Sequence, residues 1–377
     1  MFTLIAKAGR VISTDEKVYL SLKILVINTG GTKMKKIKEL CIATTIALGM
    51  VALPNFNFVG VQGLTSTIEA SAATTITVSS SSSKNLKQVL ASVKSGDTVI
   101  VNGTIKSEEV KLPAGVILKG INNGKIDFSS STTGKAGITI SGDGATIQDL
   151  EIYNAKDNGI FITGNKNTLK NLNVHDNSDT GVQLSNGAAN NYLYKVTSHH
   201  NADKGNGGEN ADGFAIKLHS GTGNVLEQCI AQYNSDDGYD LYAAHGAVTF
   251  KNCQANYNGD CYGIKGDGNG FKLGGVDNKT PGVAAHLDPV NHSLTGCKAI
   301  GNKASGFDRN NQSGVVNMKS CTAEKNRKNN YNWPAKGKPS QLGYEVTFGK
   351  AKIIDCISRN GSNNISGATL SGKCQGF

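Results

Sequence analysis

The segments "CIAQYN" (229–234), "CQANYN" (253–258), "CKAIGN" (297–302) and "CTAEKN" (321–326) share one frame, with Cys first, Ala third and Asn sixth. "LNVHDN" (172–177) and "VTSHHN" (196–201) keep that frame with an aliphatic first residue. "LEIYNA" (150–155) and "CISRNG" (356–361) keep the first position and lose the Asn. First positions fall at 150, 172, 196, 229, 253, 297, 321 and 356, so a step of 22–24 recurs and insertions stretch it to 33, 44 and 35. That period is too short for most helical repeats, and no regular Leu-x-x-Leu-x-Leu frame accompanies it. The first and third positions face one side of a strand and are always apolar or small, so that side is the interior. The spacing predicts an all-β fold, a parallel β-helix with one repeat per coil.

Stacked coils bring equivalent residues within about 4.8 Å. Asn177, Asn201, Asn234, Asn258, Asn302 and Asn326 are then expected to form one hydrogen-bonded ladder at a turn. Cys229, Cys253, Cys297, Cys321 and Cys356 are expected to stack inside. In-register neighbours hold their Cβ atoms farther apart than the ~3.8 Å a disulfide prefers, so buried free thiols are expected. Cys261 and Cys374 lie off the ladder. Toward the N-terminus, "SKNLKQVLASV" sets Leu86, Val89, Leu90 and Val93 at helical spacing, with Ser83 as cap. This short helix is expected to cover the open first coil. The C-terminal cap has no such signature.

After each Asn a second frame reads "TGVQL" (180–184), "DGFAI" (212–216), "DGYDL" (237–241), "NGFKL" (269–273), "SGFDR" (305–309) and "LGYEV" (342–346). Glycine is read as turning the corner, with an inward aromatic or aliphatic residue after it. The next residue points outward, giving a column of Gln183, Ala215, Asp240, Lys272, Asp308 and Glu345. The residue before the glycine gives Thr180, Asp212, Asp237, Asn269, Ser305 and Leu342. Asp212 and Asp237 are thus neighbours, with Asp236 and Asp240 beside Asp237. Four carboxylates within about 10 Å supply the hard oxygen donors that suit Ca²⁺. An Asp-Gly turn explains any one of them and explains four together poorly. No His or Cys falls in the cluster to suit zinc, and His199, His200 and His245 are read as surface or turn residues. Lys272 lies one coil from Asp240 and one from Asp308. Spacing alone favours a salt-bridge ladder there. The alternative is a neutral amine base beside a bound cation.

The chain has 377 residues, with 46 Gly, 6 Pro and a formal charge of +10. From Met34, "MKKIKELCIATTIALGMVAL" has the basic start and apolar run of a secretory signal, ending near "ASA" (70–72). The apolar run is short for a bilayer span. Residues 1–33 are read as an over-extended start, 34–72 as the signal and 73–377 as the β-helix domain. Without 1–72 the charge is (39 − 8) − (29 − 4) = +6. A basic excess fits a solvated surface, nucleic acid or an anionic polysaccharide.

"ENADGFAIKL" (209–218), "YNSDDGYDLY" (233–242) and "GNGFKLGG" (268–275) resemble pectate lyases of polysaccharide lyase family nine, over roughly 140–360. The resemblance implies a right-handed parallel β-helix that cleaves polygalacturonate by calcium-assisted β-elimination. It implies Ca²⁺ ligands at Asp212, Asp236, Asp237 and Asp240 and a proton-abstracting base at Lys272. The protein is then expected to be a secreted monomer acting on an acidic polysaccharide (pectin or polygalacturonate), with no nucleic-acid partner and no membrane association when mature. A polygalacturonase-type hydrolase with paired carboxylates and a non-catalytic β-helix adhesin are the rival readings. Lys217, Lys265 and Arg309 are candidates for holding substrate by position alone.

Overall fold

The computed structural model describes the strand pair Phe2–Thr14 and Lys17–Asn28 and residues 72–377. Those first two strands pair antiparallel and belong to a unit, Met1–Ala70, separate from Ser71–Phe377. The signal segment expected at 34–72 lies outside the described residues except for Ala72.

From Thr75 onward the chain winds as a parallel β-helix. Ten short strands, running from Val110–Lys111 to Asn363–Asn364, stack in sequence order in one parallel sheet. A second parallel stack holds the repeat frame, pairing Leu150 with Leu172 and Leu172 with Val196. Further along it pairs Ala231 with Ala255, then Ala299, then Ala323. The interior is lined as the periodicity requires. Phe214, Tyr239, Phe271, Phe307 and Tyr331 stack ring on ring at 4.5–5.1 Å, and Phe377 closes the column against Tyr331 at 4.8 Å.

The asparagine ladder is continuous. Each side-chain amide donates to the next Oδ1 at 2.8–2.9 Å, from Asn177 through Asn201, Asn234, Asn258 and Asn302 to Asn326. A seventh member, Asn330, accepts from Asn326 at 2.9 Å. The residues just before the ladder, such as Asp176, His200, Tyr233, Tyr257 and Lys325, have φ of +53° to +55°. One left-handed residue thus makes each corner at roughly 1–2 kcal/mol, and the ladder offsets that cost. A second ladder runs through Asn167, Asn191 and Asn224, all buried. Cys229, Cys253, Cys297, Cys321 and Cys356 are buried and free.

Two details depart from the sequence reading. Asn85, not Ser83, caps the helix Leu86–Leu90, in a capping box with Gln88, because its Oδ1 accepts the Gln88 amide of the first turn at 2.9 Å. Leu86, Val89 and Leu90 are buried as expected. The frame glycines Gly181, Gly213, Gly238, Gly270 and Gly306 each sit at a bend leading into the sheet, as read, and none has a positive φ. They admit the adjoining coil: a Cβ on Gly238 would lie 2.6 Å from the Gly270 carbonyl oxygen and 2.9 Å from Asn258 Nδ2. The segment "LGYEV" is not a rung. Tyr331–Asn332 follows Phe307–Asp308 in the sheet, and Val346–Thr347 pairs antiparallel with Lys336–Gly337 in an excursion, so Leu342 and Glu345 leave the columns. Asn330 stands where the frame expects glycine, which hides this rung from a glycine-based pattern.

Candidate active site

The ten-stranded sheet positions the acidic residues. Gln183 pairs with Ala215, Ala215 with Asp240, Asp240 with Lys272 and Lys272 with Asp308, as the column predicted. The column does not face open solvent, however: Asp240 is 3% exposed, and Asp212 and Asp237 are 0% exposed. The excursions around 201–212 and 259–268 fold over this face. Gly266 N–H donates to the Ser235 carbonyl at 2.6 Å, and Ser235 Oγ donates to the Gly208 carbonyl at 2.8 Å.

Carboxylate oxygens of Asp212, Asp237 and Asp240 lie within 4.8 Å of one another. Asp236 falls in an adjoining group with Glu209 and Asp267, where it accepts the Asn210 and Asp267 amides, each at 2.8 Å. Lys217 Nζ sits between Asp212 Oδ2 at 2.8 Å and Asp240 Oδ2 at 3.1 Å. Lys272 Nζ lies 3.0 Å from Asp237 Oδ2 and 3.3 Å from Asp267 Oδ2. It pairs with neither Asp240 nor Asp308, so the expected salt-bridge ladder does not form. Asp308 is occupied instead by the Asn332 amide at 2.7 Å and its own turn.

Four aspartates against Lys217 and Lys272 leave a formal charge of −4 + 2 = −2. Burial dominates the titration and the neighbouring carboxylates reinforce it. Asp237 is pushed up to about 8 by burial, against Lys272, with Asp236 and Asp240 adding to the rise. Asp236 is pushed up to about 6, and Asp212 well above the usual carboxylate range, chiefly by burial. Asp240 alone is held low, because Lys272 and Lys217 outweigh its burial. Burial lowers Lys272, but Asp237, Asp240, Asp236 and Asp212 outweigh it and raise the ammonium well above the ordinary lysine value.

These residues fit a hard divalent cation. Asp237 Oδ2 is buried without a hydrogen-bond donor, since the Lys272 contact is close but poorly aligned. The deficit of two charges matches one such ion, and all the donors are oxygens.

The substrate-holding candidates separate. Lys217 is buried within the acidic cluster and Arg309 is 1% exposed. Arg309 donates to the carbonyls of Gln312, Gly349 and Gly367 and lies over the Trp333 and Phe348 rings. Both are therefore corrected to internal roles, and only Lys265 is exposed. The place of Lys217 was available from strand alternation: Phe214 and Ile216 point in, so Lys217 shares the outer face with Ala215, whose small side chain leaves room. Asp267 and Glu209 lie in excursions outside the repeat frame and carried no such signal.

A right-handed β-helix with a buried carboxylate–lysine cluster on one parallel sheet defines the class. A family model described as "Pel9A-like, right handed beta helix region" matches residues 65–352, and the chain belongs to that family. It is 34% identical over 250 residues to pectate lyase L of Paenibacillus polymyxa (strain SC2), covering 61% of this chain and 51% of the relative. It is 37% identical over 166 residues to pectate lyase L of Dickeya chrysanthemi, covering 43% of this chain and 36% of the relative. The chain thus spans about half or less of these relatives' length. The crystal structure of pectate lyase Pel9A aligns with a TM-score of 0.67 at 26% identity, covering 80% of this chain and 79% of that one.

Proposed function

We propose that this protein is a secreted, monomeric pectate lyase that cleaves polygalacturonate by β-elimination, with Lys272 as the base. The observation that carries the reading is the placement of Lys272. Its amine is anchored 3.0 Å from Asp237, at the edge of a carboxylate cluster short of two positive charges, and it stays partly accessible at 14% exposure. Asp212, Asp237 and Asp240, with Asp236 beside them, would hold Ca²⁺, which when bound would draw charge from a uronate carboxylate and acidify its C5 proton. Lys272 takes the C5 proton, the C–H electron pair becomes the C4–C5 double bond, and the C4–O bond breaks. The departing oxygen takes a proton from water. Lys272 is held protonated by the very aspartates around it, so it becomes a base only where their charge is neutralised. Lys217 stays buried between Asp212 and Asp240 and fixes their orientation.

The acidic polymer suits the basic surface left when 1–72 is removed, and neither nucleic acid nor a membrane is required. The rival hydrolase would need an acid–base carboxylate pair. Here both Asp236 and Asp237 are committed to backbone and lysine contacts. The test is polygalacturonate with calcium, followed in the ultraviolet. A lyase generates an absorbing unsaturated product. Reducing ends without that absorbance would indicate a hydrolase, and neither signal would indicate an adhesin.

A further inference from the structure

Outside the carboxylate cluster, a second group of metal-capable side chains gathers where the excursion between Phe271–Lys272 and Ser293–Thr295 folds against the two preceding coils. His219 and His245 follow the strands Phe214–Ile216 and Tyr239–Asp240, and Asp277, His286 and Asp288 come from the excursion. The fully buried Asp277 side chain places Oδ2 at 3.1 Å from His245 Nε2, 3.2 Å from His219 Nε2 and 3.9 Å from His286 Nε2. Asp288 Oδ2 lies 3.6 Å from both His245 Nε2 and His286 Nε2. Two trios, His219–His245–Asp277 and Asp277–His286–Asp288, each with donor atoms within 4.8 Å of one another, thus meet at Asp277.

We propose that this knot is a binding site for a divalent transition metal of the zinc class. Metal–ligand bonds of about 2.0–2.1 Å set tetrahedral donor-to-donor edges of about 3.3 Å, and the separations of 3.1–3.9 Å bracket that value. The 3.1 and 3.2 Å contacts of Asp277 with His245 and His219 also fit hydrogen bonds, whereas the 3.6–3.9 Å contacts that involve His286 and Asp288 are too long for them. Asp288 Oδ2 is buried with no hydrogen-bond partner while aimed at two ring nitrogens. The outer contacts orient the donors as such sites require. His286 Nδ1 faces the Ala284 carbonyl at 3.0 Å, which leaves Nε2 turned to the knot. Asp277 Oδ1 accepts the Lys279 amide at 2.8 Å, and Oδ2 accepts the Thr280 hydroxyl at 2.6 Å, a hydroxyl that also lies 3.1 Å from His219 Nε2. His219 is held in a left-handed backbone conformation, φ +65°, to present its ring. Nitrogen donors disfavour calcium and favour zinc, nickel, cobalt or copper. The excursion is already closed on itself by mutual Asp277–His286 backbone bonds at 2.9 and 3.0 Å. A bound ion would staple the excursion, through Asp277 five residues beyond Lys272, to the coils that carry Asp212 and Asp240.

The test uses the full chain, stripped with chelator and titrated with zinc by calorimetry and with cobalt(II) by visible absorption. One equivalent should bind, with intense cobalt bands of a four- or five-coordinate site, and zinc should raise the melting temperature. The double variant His219→Ala/His245→Ala should weaken zinc by at least about 100-fold, while its calcium titration stays unchanged. Should that variant fail to fold, His286→Gln, at a 36% exposed ring, gives the same reading with a smaller loss. Undiminished zinc affinity in the variants, or the weak bands of six-coordinate cobalt, overturns the proposal.

Discussion

Two buried polar columns run along this β-helix, and they are built on opposite rules. The corner column of asparagines is neutral, and each amide both donates to and accepts from its neighbours at 2.8–2.9 Å. The column on the ten-stranded sheet gathers Asp212, Asp237 and Asp240 with two lysines, and leaves Asp237 Oδ2 without a donor. Both are equally withdrawn from water. A closed network of neutral groups stabilises the stack, whereas a charge-imbalanced one costs stability unless something else completes it. On the proposed function, the difference separates the part of the solenoid that holds it together from the part that acts.

The largest expected effect falls on the imbalanced column. Lys272→Ala should lower turnover on polygalacturonate by roughly 10²–10⁴-fold, and Lys272→Arg should not restore it, because guanidinium stays protonated. Removing this positive charge takes the cluster from −2 to −3, so calcium affinity should hold or rise while activity collapses. Steady-state kinetics and calorimetry on the same preparations check this. Near-normal turnover in the Arg variant would remove Lys272 from the role of base.

Asp237→Asn sharpens the contrast through pH. In the metal-free protein Asp237 titrates near 8 and Asp236 near 6, both above the ordinary aspartate value of 3.8, chiefly from burial. Between about pH 4 and 8 the folded chain therefore binds more protons than the unfolded one, so its stability should fall as pH rises across that window. Calcium competes with those protons, and its affinity should grow toward pH 8 and then level. The Asn variant should bind calcium at least about tenfold more weakly, since a charged ligand is lost, and its metal-free melting temperature should vary less with pH. Melting curves at pH 5, 7 and 9 with and without chelator test both. A melting temperature that rises with pH in the metal-free wild type would contradict the charge assignment.

The neutral column should respond in stability alone. Asn258→Ala breaks the pairs with Asn234 and Asn302 and strands buried groups, at about 1–3 kcal/mol for each group left unpaired. The loss should appear in denaturant unfolding, with calcium affinity unchanged.

The two columns also differ in how far the sequence revealed them. The asparagine, cysteine and aromatic columns recur at one frame position, and parallel in-register stacking turns equal position into spatial contact. The order Asp212, Asp237, Asp240, Lys272 was legible for the same reason. Their burial was not, because 201–212 and 259–268 are insertions whose folding over the sheet leaves no period. The partner of Lys272 was misplaced for a related reason: a long side chain reaches diagonally to Asp237 on the neighbouring coil, while the frame specifies only the directly opposed Asp240. The rung at Tyr331 was missed because Asn330 replaces the glycine used as its marker.

The smallest expected effect concerns the thiols. Cys229, Cys253, Cys297, Cys321 and Cys356 stack in successive coils, and Cys229 and Cys253 lie close enough for each to bear on the other's titration, with burial the larger influence on both. A disulfide among them would contribute about 2–4 kcal/mol, and reducing agent would then lower the melting temperature by several degrees. As free thiols they act as small apolar residues, so reductant should leave the melting temperature unchanged. A thiol reagent should label none of the five in the folded protein and all five after unfolding. The half-buried Cys374, which lies off this column, should react ahead of them and serves as the internal control. Fewer than five of the column thiols, counted apart from the equally buried Cys261, appearing on unfolding without reductant would mean that the strand spacing is locally compressed, and the column would no longer be the uniform stack that the asparagine ladder beside it requires.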